Sequence, residues 1–364
     1  MPVIDHHLKP YDDGTQQKLR LFRNYIRSWL GVFCTQNFKT VYMIDAFAGP
    51  GNDESGEKGT PLIILEEVAN QFKNFSERSI VVEIHLNENN AAKLMRLEKT
   101  VDSLLNKFPE LRQIVSIHFT GDDALNIVPV LVRQIRDEPC LLLLDQNGIM
   151  ALKEDIFDSI CSGRRLDALF FVATSYLKRF AQEPEFLNYV RYLNIDALRS
   201  QPSSLVHREL KRQLATKWNH KGLYFSDFTI KKNNNVYGIL LCTHHLKALD
   251  VFVSHSWKEN NETGDANFDI DGTSLAQEPM FENMRTLSKL DRFKDDLEGL
   301  VRSRELTNNI DVYVHTITSG ILPEHARKVL SDLKKNGTVV FKGHSLISYE
   351  SWKHSSRKEF TVLS

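Results

Sequence analysis

The feature that most constrains the fold is a repeated alternation of short apolar runs with helical stretches in the first half of the chain. Runs of this length and composition are typical of buried parallel strands, and the stretches between them carry apolar residues at helical spacing. Such an alternation predicts a doubly wound parallel sheet with helices on both faces. The five runs cover residues 40–45, 79–86, 114–119, 140–144 and 168–174.

The pattern then changes to an antiparallel one. Residues 225–232 and 236–243 are two further strand-like runs, joined by Asn233, Asn234 and Asn235. Asparagine tolerates a positive φ, so this short loop indicates a β-hairpin. A parallel core closed by an antiparallel hairpin is the methyltransferase variant of the Rossmann fold. We therefore predict an α/β, Rossmann-like methyltransferase fold.

The last quarter of the chain is predicted to form a second, smaller domain. Residues 261–280 fall in a polar, Asp/Asn/Gly-rich stretch typical of a linker, and they separate domains at 1–260 and 281–364. In the second domain we predict, in order, a helix, a strand at 311–318, a helix at 323–335 and a hairpin. The hairpin pairs residues 338–342 with 345–349, with Gly343 and His344 at its tip. This order is winged-helix-like.

Charge and cysteine content exclude several classes of protein. The net charge is −1, so a nucleic-acid surface would have to be local. The four cysteines form no Cys-x-x-Cys pair, which disfavours a zinc cluster or disulfide framework and suits a reducing, cytoplasmic compartment. No apolar stretch approaches the ~20 residues of a membrane span, so no membrane partner is expected.

The strongest local signal follows the first predicted strand and reads Asp-Ala-Phe-Ala-Gly-Pro-Gly. Asp45 would reach the carboxyl edge of the sheet, where open α/β sheets bind ligands. Gly49 and Gly51 would allow a tight turn and close approach of a ligand, and Phe47 lies between them and Asp45. Glu54 stands where a dinucleotide fingerprint needs glycine, and no Walker lysine follows. We predict a nucleoside-type pocket; the alternative is a glycine-rich turn without a ligand.

Two further acidic residues are predicted to bind the same ligand. Glu88 follows the second strand, where an acid can hold both ribose hydroxyls, although a solvent-facing Glu is the alternative. Asp122 follows the third strand and can accept from an adenine amino group. Its neighbour Asp123 can do the same, and either can instead cap the next helix.

The candidate catalytic residues follow the fourth strand. Amino-methylating enzymes present an acid or amide to the acceptor nitrogen there, usually as Asp/Asn-Pro-Pro-aromatic. This chain has Asp145 and Asn147, but it lacks the prolines and the aromatic residue. Cys140 precedes the strand and is expected to be a buried small hydrophobe.

No metal site is predicted. Asp265, Asn267, Asp269 and Asp271 alternate like a calcium loop, but the glycine and glutamate that an EF-hand needs are replaced by residues 270 and 276, which are isoleucine and alanine. The pair at 244–245, two histidines, lacks a nearby third ligand.

The C-terminal segment is locally basic. Residues 334–364 hold six Lys or Arg against two acidic residues. Basic wings and tails contact phosphate backbones, so we predict a nucleic-acid surface; a solvated surface is the alternative. The predicted contact residues are Lys342, Lys353, Arg357 and Lys358.

Several of these motifs together resemble the three-Cys-motif partner family. The resemblance spans nearly the whole chain and is carried by IDAFAGPG, LDQNGI and GDANFDID, with other segments between. It implies a methyltransferase-like fold, S-adenosylmethionine as cofactor and a bacterial partner enzyme that has three cysteines and is similar to radical enzymes. The family usually has Asp-Pro-aromatic-Gly after the fourth strand, where this chain has Gln146 and Asn147 between Asp145 and Gly148. This departure counts against methyl transfer, but it does not count against the cofactor pocket.

Three functions follow as hypotheses. The first is an S-adenosylmethionine-dependent methyltransferase acting on or with nucleic acid or a modified nucleotide, alongside a partner enzyme. The second is a non-catalytic methyltransferase-fold subunit that binds nucleic acid or docks a partner. The third, a nucleotide hydrolase, is disfavoured because metal-ligand spacing is missing.

Overall fold

The computed structural model describes residues 9–135, 137–146, 149–173, 184–202, 205–232, 235–261, 268–269 and 288–363. Its helices and strands follow the predicted alternation through the first half of the chain. The strands are β1 (Thr40–Asp45), β2 (Val81–Asn87), β3 (Val115–Thr120), β4 (Cys140–Leu144), β5 (Leu166–Val172), β6 (Tyr224–Lys232), β7 (Asn235–Thr243), β8 (Phe268–Asp269), β9 (Val339–Val340) and β10 (Thr361–Val362).

The helices are α1 (Asp13–Phe33), α2 (Thr60–Asn70), α3 (Phe72–Glu77), α4 (Ala91–Lys107), α5 (Ala124–Gln134), α6 (Glu154–Ser162), α7 (Pro184–Tyr189), α8 (Ile195–Ser200), α9 (Val206–Trp218), α10 (Leu246–Glu259), α11 (Lys289–Arg302), α12 (Asn309–Thr318), α13 (Pro323–Lys335) and α14 (Tyr349–Lys353). Among these described segments, no helix has both the length and the apolar character needed to cross a bilayer.

The main sheet has the strand order β3-β2-β1-β4-β5-β7-β6-β8. Strands β1 to β5 are parallel, and β7 runs antiparallel to both β5 and β6. This arrangement confirms the predicted methyltransferase-type α/β fold with its antiparallel closing hairpin. The short strand β8 pairs in parallel with β6 and was not predicted, because it lies within the polar stretch assigned to the linker.

Helices cover both faces of the sheet. One face packs against α1, α2, α4 and α10, and the same core continues into α11, α12 and α13. The other face packs against α5, α6 and α9. Cys140 is fully buried in this second core, as predicted.

Helix α1 is attached to the rest of the domain by buried polar contacts as well as by its apolar stripe. Glu67 on α2 is fully buried, and Arg27 donates to it at 2.9 and 3.0 Å and Arg23 at 3.1 Å. Burial opposes ionisation of Glu67, but the hydrogen bonds from Arg27 and its neighbours hold the pKa of this carboxyl below its usual value. At the other end of the sheet, the Tyr25 hydroxyl donates to the buried Asp167 on β5 at 3.0 Å.

The second domain differs in detail from the sequence prediction. The predicted strand at 311–318 is wrong, since this segment is the helix α12. Its buried residues Val312, Tyr313, Thr316 and Ile317 recur at helical spacing, and the preceding Asn308 caps it by accepting from two backbone N–H groups at 3.0 Å. The alternating β-branched residues suggested a strand, but the helical packing face decided the structure.

The predicted hairpin is also wrong in its second strand. Strand β9 pairs with β10 at 361–362, so residues 345–349 form no strand and the connection between β9 and β10 contains α14. The resulting order of three helices followed by two short antiparallel strands keeps the winged-helix architecture, with a longer wing than predicted. The two long helical stretches predicted across 177–218 are instead the shorter helices α7, α8 and α9 in the described part of that region.

Candidate functional site

The carboxyl ends of β1, β2, β3 and β4 lie side by side at one edge of the sheet. Asp45 is level with Leu86 of β2 and Leu143 of β4, and Asn87 is level with Thr120 of β3. The structure therefore brings the predicted cofactor residues Asp45, Phe47, Gly49, Gly51, Glu88 and Asp122 to the same edge.

The turn after β1 has the backbone conformation that glycine favours. Gly49 and Gly51 have φ values of 61° and 87°. A Cβ at Gly51 would also lie 3.2 Å from a Leu97 methyl carbon on α4. A backbone hydrogen bond joins the turn to the following loop: the Gly59 N–H donates to the Gly51 carbonyl at 2.8 Å. The two glycines therefore let the chain turn tightly at the end of β1 and pack against α4.

Asp45 is fully buried at the base of this turn. Its Oδ1 atom accepts from the Phe47 N–H at 3.2 Å, while Oδ2 has no hydrogen-bond partner among the residues described. Burial raises the pKa of Asp45 to about 7; the Thr60 hydroxyl opposes this rise, and the carboxylate of Asp145 reinforces it. A buried carboxylate oxygen without a donor is uncommon in folded proteins and indicates a place for a ligand donor.

Asn87 holds the three neighbouring strand ends together. Its side-chain amide donates to the carbonyls of Ala46 at 3.1 Å and Asp122 at 3.0 Å. Its side-chain oxygen accepts from the Thr120 hydroxyl at 2.8 Å and from the Asp122 N–H at 3.0 Å. The residue is 3% exposed, so its amide replaces water for groups at the ends of β1 and β3. The sequence analysis missed this role, although an Asn ending an apolar strand was its visible signal.

The acidic residues beside Asn87 have separate roles. Asp123 caps α5 by accepting from the Leu125 N–H at 2.8 Å. The carboxylate of Asp122 is exposed and makes no hydrogen bond with a described residue, which leaves it available to a ligand. Glu88 is half-buried, and its carboxylate accepts from the Asn90 N–H at 2.8 Å, so one of its oxygens is partly engaged.

Asp145 is paired with a residue that the sequence analysis missed. The Lys18 ammonium on α1 donates to both carboxylate oxygens, at 2.8 and 2.7 Å, and lies 4.6 Å from the centre of the Phe171 ring. The two side chains are only 10% and 11% exposed. Lys18 lies in the helical stripe that continues through Phe22 and Tyr25, and a lysine within an apolar stripe was the available signal.

The rest of the segment after β4 is only partly described. Asn147, the second predicted catalytic residue, and Gly148 lie outside the described residues. Gln146 is buried, and neither its oxygen nor its nitrogen has a hydrogen-bond partner among the described residues. Unpaired polar atoms therefore occur on the loops that follow both β1 and β4.

The four basic residues predicted to contact nucleic acid all lie in the connection between β9 and β10 or next to it. Lys342 and Lys353 are exposed and form no ion pair with described residues. Arg357 pairs with Glu359 at 2.6 Å, and the Lys358 ammonium donates to the His344 carbonyl at 3.4 Å. Of these four residues, Lys342 and Lys353 are thus the two whose charged groups contact no described carboxylate or carbonyl.

Comparisons with known proteins agree with this architecture. A family model described as a GMT-like wHTH domain matches residues 265–343. No curated protein matches the chain. Similar solved structures include the human methyltransferase 10 domain containing protein, with 10% identity over 65% of this chain and 86% of that one and a TM-score of 0.33.

Two other solved structures have a similar degree of likeness. The delta-N METTL16 MTase domain is 14% identical over 63% of this chain and 83% of that one, with a TM-score of 0.30. The hMettl16 catalytic domain in complex with a MAT2A 3'UTR hairpin is 10% identical over 66% of this chain and 72% of that one, with a TM-score of 0.31. At TM-scores this low nothing rests on the likeness, and the strand order alone carries the fold assignment.

The Asn87 amide network predicts a large loss of stability on truncation. Asn87→Ala would leave four partner groups at the sheet edge without their hydrogen bonds. We expect the free energy of unfolding in urea to fall by about 2–4 kcal/mol. Asn106→Ala, at an exposed position of α4, is the matched control and should change it by less than about 0.5 kcal/mol. Equal effects of the two substitutions would show that the network contributes nothing to stability.

Proposed function

We propose that this chain binds S-adenosylmethionine at the carboxyl edge of its sheet and acts on or with nucleic acid or a modified nucleotide. The observation that carries the proposal is the buried Asp45, whose Oδ2 atom lacks a donor directly beside the Gly49–Gly51 turn. An ammonium group is the ligand feature that such an oxygen can accept. The cofactor has an ammonium group, two ribose hydroxyls and an adenine amino group.

The residues at the sheet edge fit these three features. Asp45 would accept from the ammonium group, Glu88 from the ribose hydroxyls and Asp122 from the adenine amino group. The backbone at Gly49 and Gly51 would lie against the ligand, and the half-buried Phe47 would contribute an apolar contact. When bound, S-adenosylmethionine supplies an electrophilic methyl group. The protein's part is to hold the acceptor in line and to exclude water.

Cofactor affinity is predicted to depend on pH through Asp45. Because the pKa of Asp45 is about 7 in the free protein, the carboxyl is mostly protonated below that pH and must lose its proton to bind an ammonium group. The dissociation constant of S-adenosylhomocysteine should therefore rise by up to about tenfold for each pH unit below 7, and it should be nearly constant above pH 7. Isothermal titration from pH 5.5 to 8.5 measures this.

The control for this prediction is Asp45→Asn. The amide has no proton to lose, so this variant should bind more weakly at pH 8 and show little pH dependence. Circular dichroism would establish that it remains folded. A wild-type affinity that is constant between pH 5.5 and 8.5, or a variant that binds like wild type, would remove Asp45 from the binding site.

Methyl transfer would use Asp145, with Asn147 beside it, to orient an acceptor nitrogen. The Lys18–Asp145 pair is the observation that favours the second candidate function, a non-catalytic subunit. The ammonium of Lys18 already engages both oxygens that an acceptor amine would need. A catalytic role for Asp145 therefore requires the acceptor to displace Lys18 or to share the carboxylate with it.

Transfer of a radiolabelled methyl group distinguishes the two candidates. If Asp145 orients the acceptor, wild type should methylate a component of a mixed RNA and DNA pool, and Asp145→Asn should transfer about 10²–10⁴-fold more slowly at unchanged cofactor affinity. Asp155→Asn, at an exposed position of α6, is the matched control. Cofactor binding without any transfer by wild type would support the non-catalytic subunit.

The nucleic-acid part of the proposal rests on the second domain. In its described residues, helices α11, α12 and α13 are followed by strands β9 and β10, with α14 between the two strands, which is winged-helix architecture. The wing presents the exposed ammonium groups of Lys342 and Lys353. A wing with two exposed ammonium groups suits contacts to the phosphate backbone, which are independent of sequence. The partner enzyme is proposed from the sequence resemblance alone. Docking of this partner is the alternative role for the same wing surface.

Salt dependence tests the wing directly. The double variant Lys342→Gln, Lys353→Gln should bind duplex DNA or an RNA hairpin more weakly, and the slope of log K against log salt should become shallower by about 2. Adding Arg357→Gln and Lys358→Gln should change the slope less, because both side chains already have partners in the protein. Filter binding measures the slopes.

The matched control replaces two exposed lysines on the first domain, Lys73 and Lys99, with glutamine. It keeps the same net charge as the double variant and should retain the wild-type slope. Equal slopes for the control and the wing variant would show that binding follows net charge. No binding by wild type at low salt would contradict the nucleic-acid proposal and favour protein docking.

A further inference from the structure

A cluster of potential metal ligands lies on the sheet away from the cofactor edge. Glu83 and His85 on β2 and His118 on β3 each offer one ligand atom, and these atoms all lie within 4.8 Å of one another. His85 is level with His118 across the strand pair, and Glu83 is two residues earlier on β2 and so on the same face. Strand β2 lies between β1 and β3, and β3 is the edge strand of the sheet, so the backbone pairing of β2 with β3 sets the relative positions of the three residues.

A surface ion pair between Glu83 and His118 would not account for the position of His85 in the cluster. Glu83 accepts from the His118 imidazole at 2.7 Å, which by itself is a common contact on a solvated surface. The ring of His85 is half-buried between those of Tyr42, at 6.4 Å, and His118, at 4.6 Å, and its nitrogens make no hydrogen bond with a described residue.

We propose that Glu83, His85 and His118 form a binding site for one divalent transition-metal ion of the Zn²⁺ class. Two imidazole nitrogens and one carboxylate oxygen are a ligand set that Zn²⁺ accepts, with a fourth position left to water. Zn–N distances of about 2.0–2.1 Å bring tetrahedral donors to about 3.4 Å from one another. Since the His118 side chain is 48% exposed, it has room to rotate when an ion binds.

The site is separate from the proposed cofactor pocket. Asn87, which holds the cofactor edge together, lies two residues beyond His85 on the same face of β2, or about 7 Å along the strand. The metal site would therefore bind its ion whether or not the chain binds S-adenosylmethionine. The sequence analysis predicted no metal, because the three ligands are distributed over two strands that are more than 30 residues apart in the chain.

Equilibrium dialysis of the full, tag-free chain against ZnCl₂ tests the proposal. Wild type should bind one equivalent, and His118→Ala and Glu83→Gln should each weaken the dissociation constant by about tenfold or more. His354→Ala is the matched control, since His354, directly after α14, pairs with Glu350 at 3.3 Å and belongs to no cluster of three potential ligands among the described residues. This control should bind like wild type.

Titration with CoCl₂ identifies the ligands. Nitrogen and oxygen donors give weak d–d absorption, whereas a cysteine donor would add an intense thiolate charge-transfer band. Absence of saturable Zn²⁺ binding, equal binding by wild type and His118→Ala, or a thiolate band would each overturn the proposal. If His118→Ala fails to fold by circular dichroism, the conservative Glu83→Gln variant at the surface decides the outcome.

Discussion

The structure depends on one helix that supplies partners for buried carboxylates. Lys18, Arg27 and Tyr25 of α1 contact Asp145 after β4, Glu67 on α2 and Asp167 on β5. A carboxylate left in these positions without a donor would be strongly disfavoured, because burial penalises its charged form. Docking of α1 therefore brings these donors into place together. It favours the ionised form of Glu67, and it pairs Lys18 with Asp145, the candidate residue for orienting the acceptor.

The sheet edge contains two carboxyl groups in opposite electrostatic situations. Burial raises the pKa of Asp45 to about 7, while Asp145 is held as an ion pair by Lys18. Two neighbouring acids with such different partners can have different roles. The ionised form of Asp45 can accept from a ligand ammonium, and the paired Asp145 can orient a second molecule only if its contact with Lys18 changes.

Structural and ligand-facing groups are separated at the same edge. Asn87 and Asp123 satisfy backbone groups of the protein, whereas Oδ2 of Asp45 and the carboxylate of Asp122 have no partner in the described residues. The adjacent acids Asp122 and Asp123 thus have different roles, because only Asp123 accepts from the protein's own backbone. This separation supports the proposed cofactor pocket, since Oδ2 of Asp45 is a buried acceptor at this edge that a ligand donor can satisfy.

The sequence by itself determined the alternation of strands and helices, the glycine turn after β1 and the antiparallel closing hairpin, because these follow from local periodicity and backbone preference. It failed at α12, where alternating β-branched residues outweighed the signal of the Asn308 cap, and at the second strand of the wing, whose partner lies 20 residues away. Only the tertiary structure decided that Lys18 pairs with Asp145, that Asn87 joins the ends of three strands and that Glu83, His85 and His118 meet. These contacts join residues far apart in the chain, and packing of whole elements, rather than local pattern, brings such residues together.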